Sequence, residues 1–309
     1  MSVLLFSHRA CLHHDPGPHH PECPDRLRAV LKALDTEEFS DLIRDEAPQA
    51  TVEQLSRVHP ERYVEAILGI RPEPDDSVAL DGDTVMSWGS AEAALRAAGA
   101  GIAGVDAVCR GEVRRAFCAV RPPGHHAEPN RPMGFCLFAN AAVAARHAQA
   151  VHGVERVGVV DFDVHHGNGT QACFETDATL FYASSHQSPC YPGTGEAHET
   201  GVGNIVNAPL PPGADGAAFR QAWADTLLPA LEAFRPGLVI ISAGFDAHAR
   251  DPLAQLRVRE ADFGWLTTEL CRLADRAFGG KVVSLLEGGY DLEALAASTA
   301  AHVRALMHA

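Results

Sequence analysis

No cysteine in this 309-residue chain stands in a C-x-x-C pair, although there are eight of them. Cys11, Cys23, Cys109, Cys118, Cys136, Cys173, Cys190 and Cys271 are scattered through segments expected to be strands and helices. That pattern argues against a thiolate zinc cluster and a disulfide framework, and for buried free thiols in a reducing compartment. No apolar run approaches the ~20 residues a helix needs to cross a bilayer. The apolar stretch in residues 1–7 has no basic region before it and no small-residue cleavage site after it, so it reads as a first strand and not as a secretory signal. No internal repeat and no long low-complexity linker are present; residues 72–76 form only a local loop. Positive charge is scarce, with 25 Lys and Arg against 40 Asp and Glu and a formal net charge of -15. Such an acidic surface disfavours nucleic-acid contact. These absences lead us to expect a cytoplasmic protein with neither a membrane nor a nucleic-acid partner.

Apolar strands alternate with amphipathic helices from about residue 90 onward. Helices are expected at 90–109, 139–152, 217–234, 261–278 and 292–307, and strands at 116–120, 157–160, 179–183, 238–242 and 282–286. This alternation predicts an α/β fold: a single domain over 1–309 with a largely parallel sheet flanked by helices. In such sheets the ligand sits at the carboxyl ends of the strands, where the long loops 121–133, 186–203 and 245–258 gather.

The chemistry collects at those ends. The run Val157-Gly158-Val159-Val160 leads into Asp161-Phe162-Asp163-Val164-His165-His166-Gly167, and period-2 alternation puts Asp161, Asp163 and His165 on one side of the chain. Strand 238–242 exits into Asp246. Two carboxylates and one imidazole suit Zn²⁺, Mn²⁺ or Fe²⁺, and three protein ligands leave a position open for water and substrate. Two anionic ligands cancel the ion's charge, so a separate base is needed, and Arg121-Pro122-Pro123-Gly124-His125-His126 follows strand 116–120. Asp161 and Asn168 are in reach to orient the two imidazoles. The last strand ends in Glu287-Gly288-Gly289-Tyr290, where a phenol could stabilise an oxyanion. Gly134-Phe135-Cys136 and Tyr191-Pro192-Gly193 each set an aromatic in a glycine-bearing loop, enough to wall a slot for a methylene chain.

Together these segments resemble the histone deacetylase superfamily with its arginase–deacetylase fold. The resemblance starts at His20-Pro21-Glu22-Cys23-Pro24-Asp25-Arg26-Leu27 and runs through 121–126, 134–136, 161–171, 191–195, 242–248 and 287–290, in a form similar to the class II and bacterial branch. It implies Asp163, His165 and Asp246 as ligands of one catalytic Zn²⁺ per chain. It also implies His126 as general base and acid, His125 as its electrostatic partner and Tyr290 as the donor to the amide carbonyl. Phe135 and Tyr191 would flank the acyl-lysine channel, and the Gly134 carbonyl would accept the scissile N–H. Asp161, Asp163, His165, Ser184 and Ser185 match the family's inner monovalent-cation site, which implies a structural K⁺. Asn168 stands where class I members have aspartate; it can orient an imidazole but brings no charge. The implied activity is zinc-dependent removal of acetyl or another short acyl group from lysine side chains of proteins or peptides. Leu253 stands where relatives specific for acetylpolyamines carry glutamate, which favours acyl-lysine over a small acylated amine. An acetylpolyamine amidohydrolase and a non-catalytic acyl-lysine-binding protein are the alternatives. Oligomeric state is left open by the sequence.

Overall fold

In the computed structural model, which describes residues 2–309, eight strands form one parallel sheet in the order β2-β1-β5-β10-β9-β6-β7-β8. They are β1 (Val3–Ser7), β2 (Ile43–Glu46), β5 (Arg115–Cys118), β6 (Val157–Asp161), β7 (Leu180–Gln187), β8 (Ile205–Leu210), β9 (Leu238–Ala243) and β10 (Val282–Leu286). A separate antiparallel hairpin pairs β3 (Ser77–Ala79) with β4 (Val85–Ser87). The helices are α1 (Pro24–Leu34), α2 (Val52–Leu55), α3 (Glu61–Gly69), α4 (Ser90–Cys109), α5 (Asn140–His152), α6 (Asn168–Phe174), α7 (Gly216–Ala222), α8 (Leu228–Phe234), α9 (Glu260–Ala277) and α10 (Leu292–His308).

Every residue of β5, β6, β7, β9 and β10 is buried. Strands covered on both faces need apolar side chains in succession, and sequences such as V-G-V-V and L-V-I-I supply them. Helix α4 lies on the face that carries Ala116, Val283 and Leu285; a Cβ on Gly101 or Gly104 would press into those side chains. Helix α10 covers the other face, where His302 bonds the Ser284 hydroxyl at 2.8 Å and packs edge-on against Phe117.

The expected helices and strands are all present; α4 and β10 keep the expected bounds and the others have shifted ends. The strand expected at 116–120 runs Arg115–Cys118, and β7 extends to Gln187, into the region expected to be loop. The helix expected over 217–234 is broken by a π-turn at Trp223–Leu227. Pro229, with no N–H, cannot continue the regular ladder there, and the bulge brings the Trp223 indole N–H onto Ser185 Oγ at 2.9 Å. The expectation of buried thiols holds for Cys11, Cys118, Cys136 and Cys271 and is corrected for the rest. All eight cysteines are free, but Cys23, Cys109, Cys173 and Cys190 are only partly buried, and Cys23, Cys136 and Cys190 lie outside the helices and strands. The first strand begins at Val3; Met1 lies outside the described residues.

All eight strands run the same way, so their carboxyl ends share one edge. The four central strands β5, β10, β9 and β6 are neighbours in that order, and the register sets Cys118 beside Leu285, Leu286 beside Ala243 and Ser242 beside Asp161. The segments after these strands, which begin at Ala119, Glu287, Gly244 and Phe162, therefore gather at one edge.

Candidate active site

Asp163, His165 and Asp246 converge with their ligand atoms within 4.8 Å of one another, all buried. His165 Nδ1 lies 3.2 Å from both Asp163 Oδ1 and Asp246 Oδ2. Alternation along the strand does not produce this arrangement, because β6 stops at Asp161. The turn beyond it does. Asp161 Oδ1 accepts the Asp163 N–H at 3.1 Å, and Asp163 Oδ1 accepts the His165 N–H at 2.9 Å. The remaining carboxylate oxygens are held by main chain: Gly288 N–H donates to Asp163 Oδ2 at 2.8 Å and Val164 N–H to Asp246 Oδ1 at 2.8 Å.

Asp161 points one layer deeper. Its Oδ2 accepts from His125 Nδ1 at 3.0 Å and from the Tyr182 hydroxyl at 3.0 Å. Four carboxylates, Asp161, Asp163, Asp246 and Glu287, are thus buried in one region. Burial first, and then the Asp163 charge, pushes Asp246 up to about 7. Burial pushes Glu287 up to about 7 as well, against the pull of His125. Four carboxylates crowd one buried region, and the donor set of Asp163, His165 and Asp246 is two oxygens and a nitrogen. Both features fit a divalent cation of the zinc type.

The tandem histidines sit beside this cluster with ring centroids 4.0 Å apart, and they differ in charge. Burial opposes protonation of His125, but the Asp163 and Asp161 carboxylates outweigh it and hold the imidazolium up to about 10. His126 is lowered well below its ordinary value by burial and by the neighbouring His125 and His165. Asn168 Nδ2 donates to Glu128 Oε1 at 2.9 Å, which turns Asn168 Oδ1 toward His126 Nδ1 at 2.9 Å. His126 therefore carries its proton on Nδ1 and keeps the Nε2 lone pair for other chemistry.

Above the cluster opens a cavity of about 220 Å³ lined by His126, His165, Gly134, Phe135, Tyr191, Tyr290, Asp83 and Leu253. Phe135 meets Tyr290 edge-on at 5.9 Å, and Tyr191 meets His126 edge-on at 5.1 Å. Gly134 and Phe135 have φ of 56° and 68°, and a Cβ on Gly134 would run into the His126 ring. Its carbonyl already accepts the Cys136 thiol at 3.2 Å. Tyr290 is raised well above its ordinary value, chiefly by burial, so its phenol keeps its proton. Leu253 is 39% exposed at the mouth.

Ser184 and Ser185 lie on β7, Ser184 beside Asp161 in the sheet. Their hydroxyls have other partners: Ser184 Oγ pairs with His186 Nδ1 at 2.9 Å and Ser185 Oγ accepts from Trp223. Three residues without an assigned role in the sequence prove central to the geometry. Glu287 Oε2 accepts the Gly124 and His125 N–H groups at 2.6 and 3.2 Å, which ties the histidine turn to β10. Asp83, from the β3–β4 hairpin, accepts the Gly134 N–H at 3.2 Å and faces the mouth. Arg26 spans to the last loop and donates from Nε to the Gly289 carbonyl at 2.6 Å. Only Arg26 and Glu287 had a signal in sequence, through the motifs that contain them.

A profile of the histone deacetylase domain matches residues 20–306. The chain belongs to the histone deacetylase family. Among relatives, histone deacetylase 14, chloroplastic, of Arabidopsis thaliana is 40% identical over 98% of this chain and 76% of its own length. The histone deacetylase-like amidohydrolase of Pseudomonas aeruginosa is 40% identical over 93% and 81% respectively. The crystal structure of the HDA15 HD domain superposes with a TM-score of 0.91 at 37% identity, covering 98% of this chain and 88% of that one. Membership in this deacetylase family makes the chain a hydrolase of the amidohydrolase kind, on the arginase–deacetylase architecture of one large parallel sheet between helices.

Proposed function

We propose that this histone deacetylase family member is a zinc-dependent amidohydrolase that removes acetyl or another short acyl group from lysine side chains of proteins or peptides. One observation carries the reading: a neutral histidine and a protonated phenol line a cavity that also reaches His165, the imidazole of the buried two-carboxylate, one-imidazole cluster. Zinc held by Asp163, His165 and Asp246 would supply Lewis acidity toward the acyl oxygen and the attacking water. His126 accepts the water's proton at Nε2 and returns it to the leaving amine. His125 stays cationic against Asp161 and favours the negative charge that develops. The Tyr290 phenol donates to the developing oxyanion. Phe135 and Tyr191 confine the methylenes, and the Gly134 carbonyl uses its second lone pair for the scissile N–H. A structural K⁺ would sit among Asp161, Asp163, His165, Ser184 and Ser185; each serine hydroxyl has one hydrogen-bond partner and keeps a lone pair for the ion. Eight unpaired thiols support residence in a reducing compartment, the cytoplasm in our reading.

Leu253 at the mouth offers apolar contact and no counter-charge, which suits the neutral backbone around an acyl-lysine. Asp83 favours a second reading, an acylpolyamine substrate, because a carboxylate at the mouth could pair with a distal ammonium. Acetate and amine release measured over a panel of acyl-lysine peptides and acylpolyamines separates the two by kcat/KM. Release from any acyl-lysine peptide excludes a non-catalytic reader, and full turnover by verified metal-free protein overturns the zinc mechanism.

A further inference from the structure

The phenol of Tyr290 hangs from an unusual length of backbone. Two glycines precede it, and Gly289 has φ of 121°, in the region open mainly to glycine. Such a segment has little stiffness of its own, yet an oxyanion donor works only if it is held in place before reaction. The peptide unit between Gly289 and Tyr290 is gripped at both ends by buried charges. Its carbonyl accepts from Arg26 Nε at 2.6 Å, and its N–H donates to Asp251 Oδ2 at 2.7 Å. The other oxygen of the same carboxylate, Oδ1, accepts the Leu253 N–H at 3.0 Å. Asp251 is buried at 8% exposure, and its own N–H donates to the His248 carbonyl at 2.9 Å, which anchors it to the loop that follows Asp246.

We propose that Asp251 is a positioning residue: one carboxylate sets the peptide unit that aims Tyr290 and, with its second oxygen, the rim residue Leu253. The oxyanion donor and the channel mouth then share a single support. A substrate that presses on the rim changes the same hydrogen-bonded unit that carries the phenol. This inference rests on the reading of Tyr290 as the oxyanion donor, and it concerns a residue that touches neither substrate nor metal.

Asp251→Asn tests it, since the amide keeps the shape but replaces one acceptor oxygen with a donor group. The variant should lower kcat on an acetyl-lysine peptide by roughly ten-fold or more with KM changed by less than about three-fold, because orientation of a transition-state donor is lost and ground-state contact is not. In a Tyr290→Phe background the same change should cost nothing further, as expected for residues that act as one unit. An equal loss in both backgrounds, or an unchanged kcat in the single variant, overturns the proposal. A second measurement does not depend on turnover. With ¹³C-labelled tyrosine rings, four in this chain, Asp251→Asn should move the Tyr290 resonance, assigned by its disappearance in Tyr290→Phe. The signals of Tyr63, Tyr182 and Tyr191 should stay in place. A Tyr290 signal that does not move refutes the role of Asp251. If the parent protein releases acetate from no acylated amine, the proposed function falls, and the tyrosine signal still decides the case of Asp251.

Discussion

Two clusters of aspartate and histidine in this molecule look alike by composition and differ in how their charge is compensated. One is Asp163, His165 and Asp246 at the strand ends. The other is Asp106 on α4 with His147 and His152 on α5, also with ligand atoms within 4.8 Å. In the second, Asp106 Oδ1 pairs with both Nε2 atoms at 2.8 and 2.6 Å. Arg57 donates to His147 Nδ1 at 2.9 Å and Arg110 to Asp106 Oδ2 at 3.3 Å. A guanidinium can only donate, so His147 Nδ1 accepts and the ring's proton sits on Nε2, facing Asp106. That nitrogen has no lone pair for a metal, and two guanidiniums already supply the positive charge. The cluster is a hydrogen-bonded brace between two helices. At the strand ends no guanidinium among the described residues touches the three groups; the neighbouring cation is the His125 imidazolium, 3.7 Å from Asp163 Oδ2, and main-chain N–H donors hold the other carboxylate oxygens. Nearness of ligand-type atoms is common to both; the source of the positive charge separates them.

The largest effect tests that distinction directly. Asp246→Ala should remove the bound zinc and with it essentially all turnover, while circular dichroism reports a folded chain. Asp106→Asn should leave the zinc content of the purified protein and its turnover as in the parent. Metal analysis that finds zinc lost in Asp106→Asn, or a second zinc in the parent that Asp106→Asn removes, would break the comparison.

Next in size is the donor beside the metal cluster. Tyr290→Phe keeps the ring's edge-on contact with Phe135 and removes only the hydroxyl. It should lower kcat by on the order of 10²–10³, the scale of one oxyanion donor, with little change in KM. Turnover at the parent rate would leave the tyrosine as packing. A smaller shift belongs to the rim. Leu253→Glu should move the ratio of kcat/KM between acetylpolyamine and acetyl-lysine peptide toward the polyamine by roughly ten-fold, the equivalent of ~1.4 kcal/mol. A parent enzyme that already prefers acetylpolyamines would assign the mouth to Asp83 and not to Leu253.

The same comparison explains what could be read from the chain alone. The strand-end cluster lies in short segments that directly follow fully apolar strands, so local pattern was enough to bring Asp163, His165, Asp246, His125, His126 and Tyr290 to one edge. The bounds of α4 and the span of β10 followed equally from unbroken apolar periodicity. The edge strands escaped notice because they are polar or interrupted: β2 reads I-R-D-E, exposed throughout, and β8 contains Pro209. The β3–β4 hairpin is only three residues a side, and missing it meant missing Asp83. The brace joins residues 41 and 46 positions apart, and the Asp251–Tyr290 bond spans 39. Such pairs depend on how helices and loops close in space, which one-dimensional periodicity does not encode.

The brace itself yields the smallest and most discriminating prediction. Burial opposes ionisation of Asp106, but its bonds to His152 and His147 prevail and hold its pKa below the ordinary value. A carboxyl with a depressed folded-state pKa binds fewer protons folded than unfolded. Its contribution is therefore complete above the unfolded-state pKa and disappears as pH falls through the folded value. His147 adds to the trend. Burial keeps it below its usual value, so the unfolded chain takes up its proton first and acid favours unfolding from about pH 6.5 downward. Asp106→Asn should thus destabilise the protein by about 1 kcal/mol near pH 7, a modest figure because the group is partly in contact with water. In denaturant melts the gap between parent and variant should narrow as the pH drops below about 4, where the carboxylate of the unfolded parent starts to take up protons. A gap that stays constant down to pH 3 would mean that Asp106 acts through shape and not charge, and would remove the contrast between a brace held by the Asp106 charge and a cluster proposed to hold a metal.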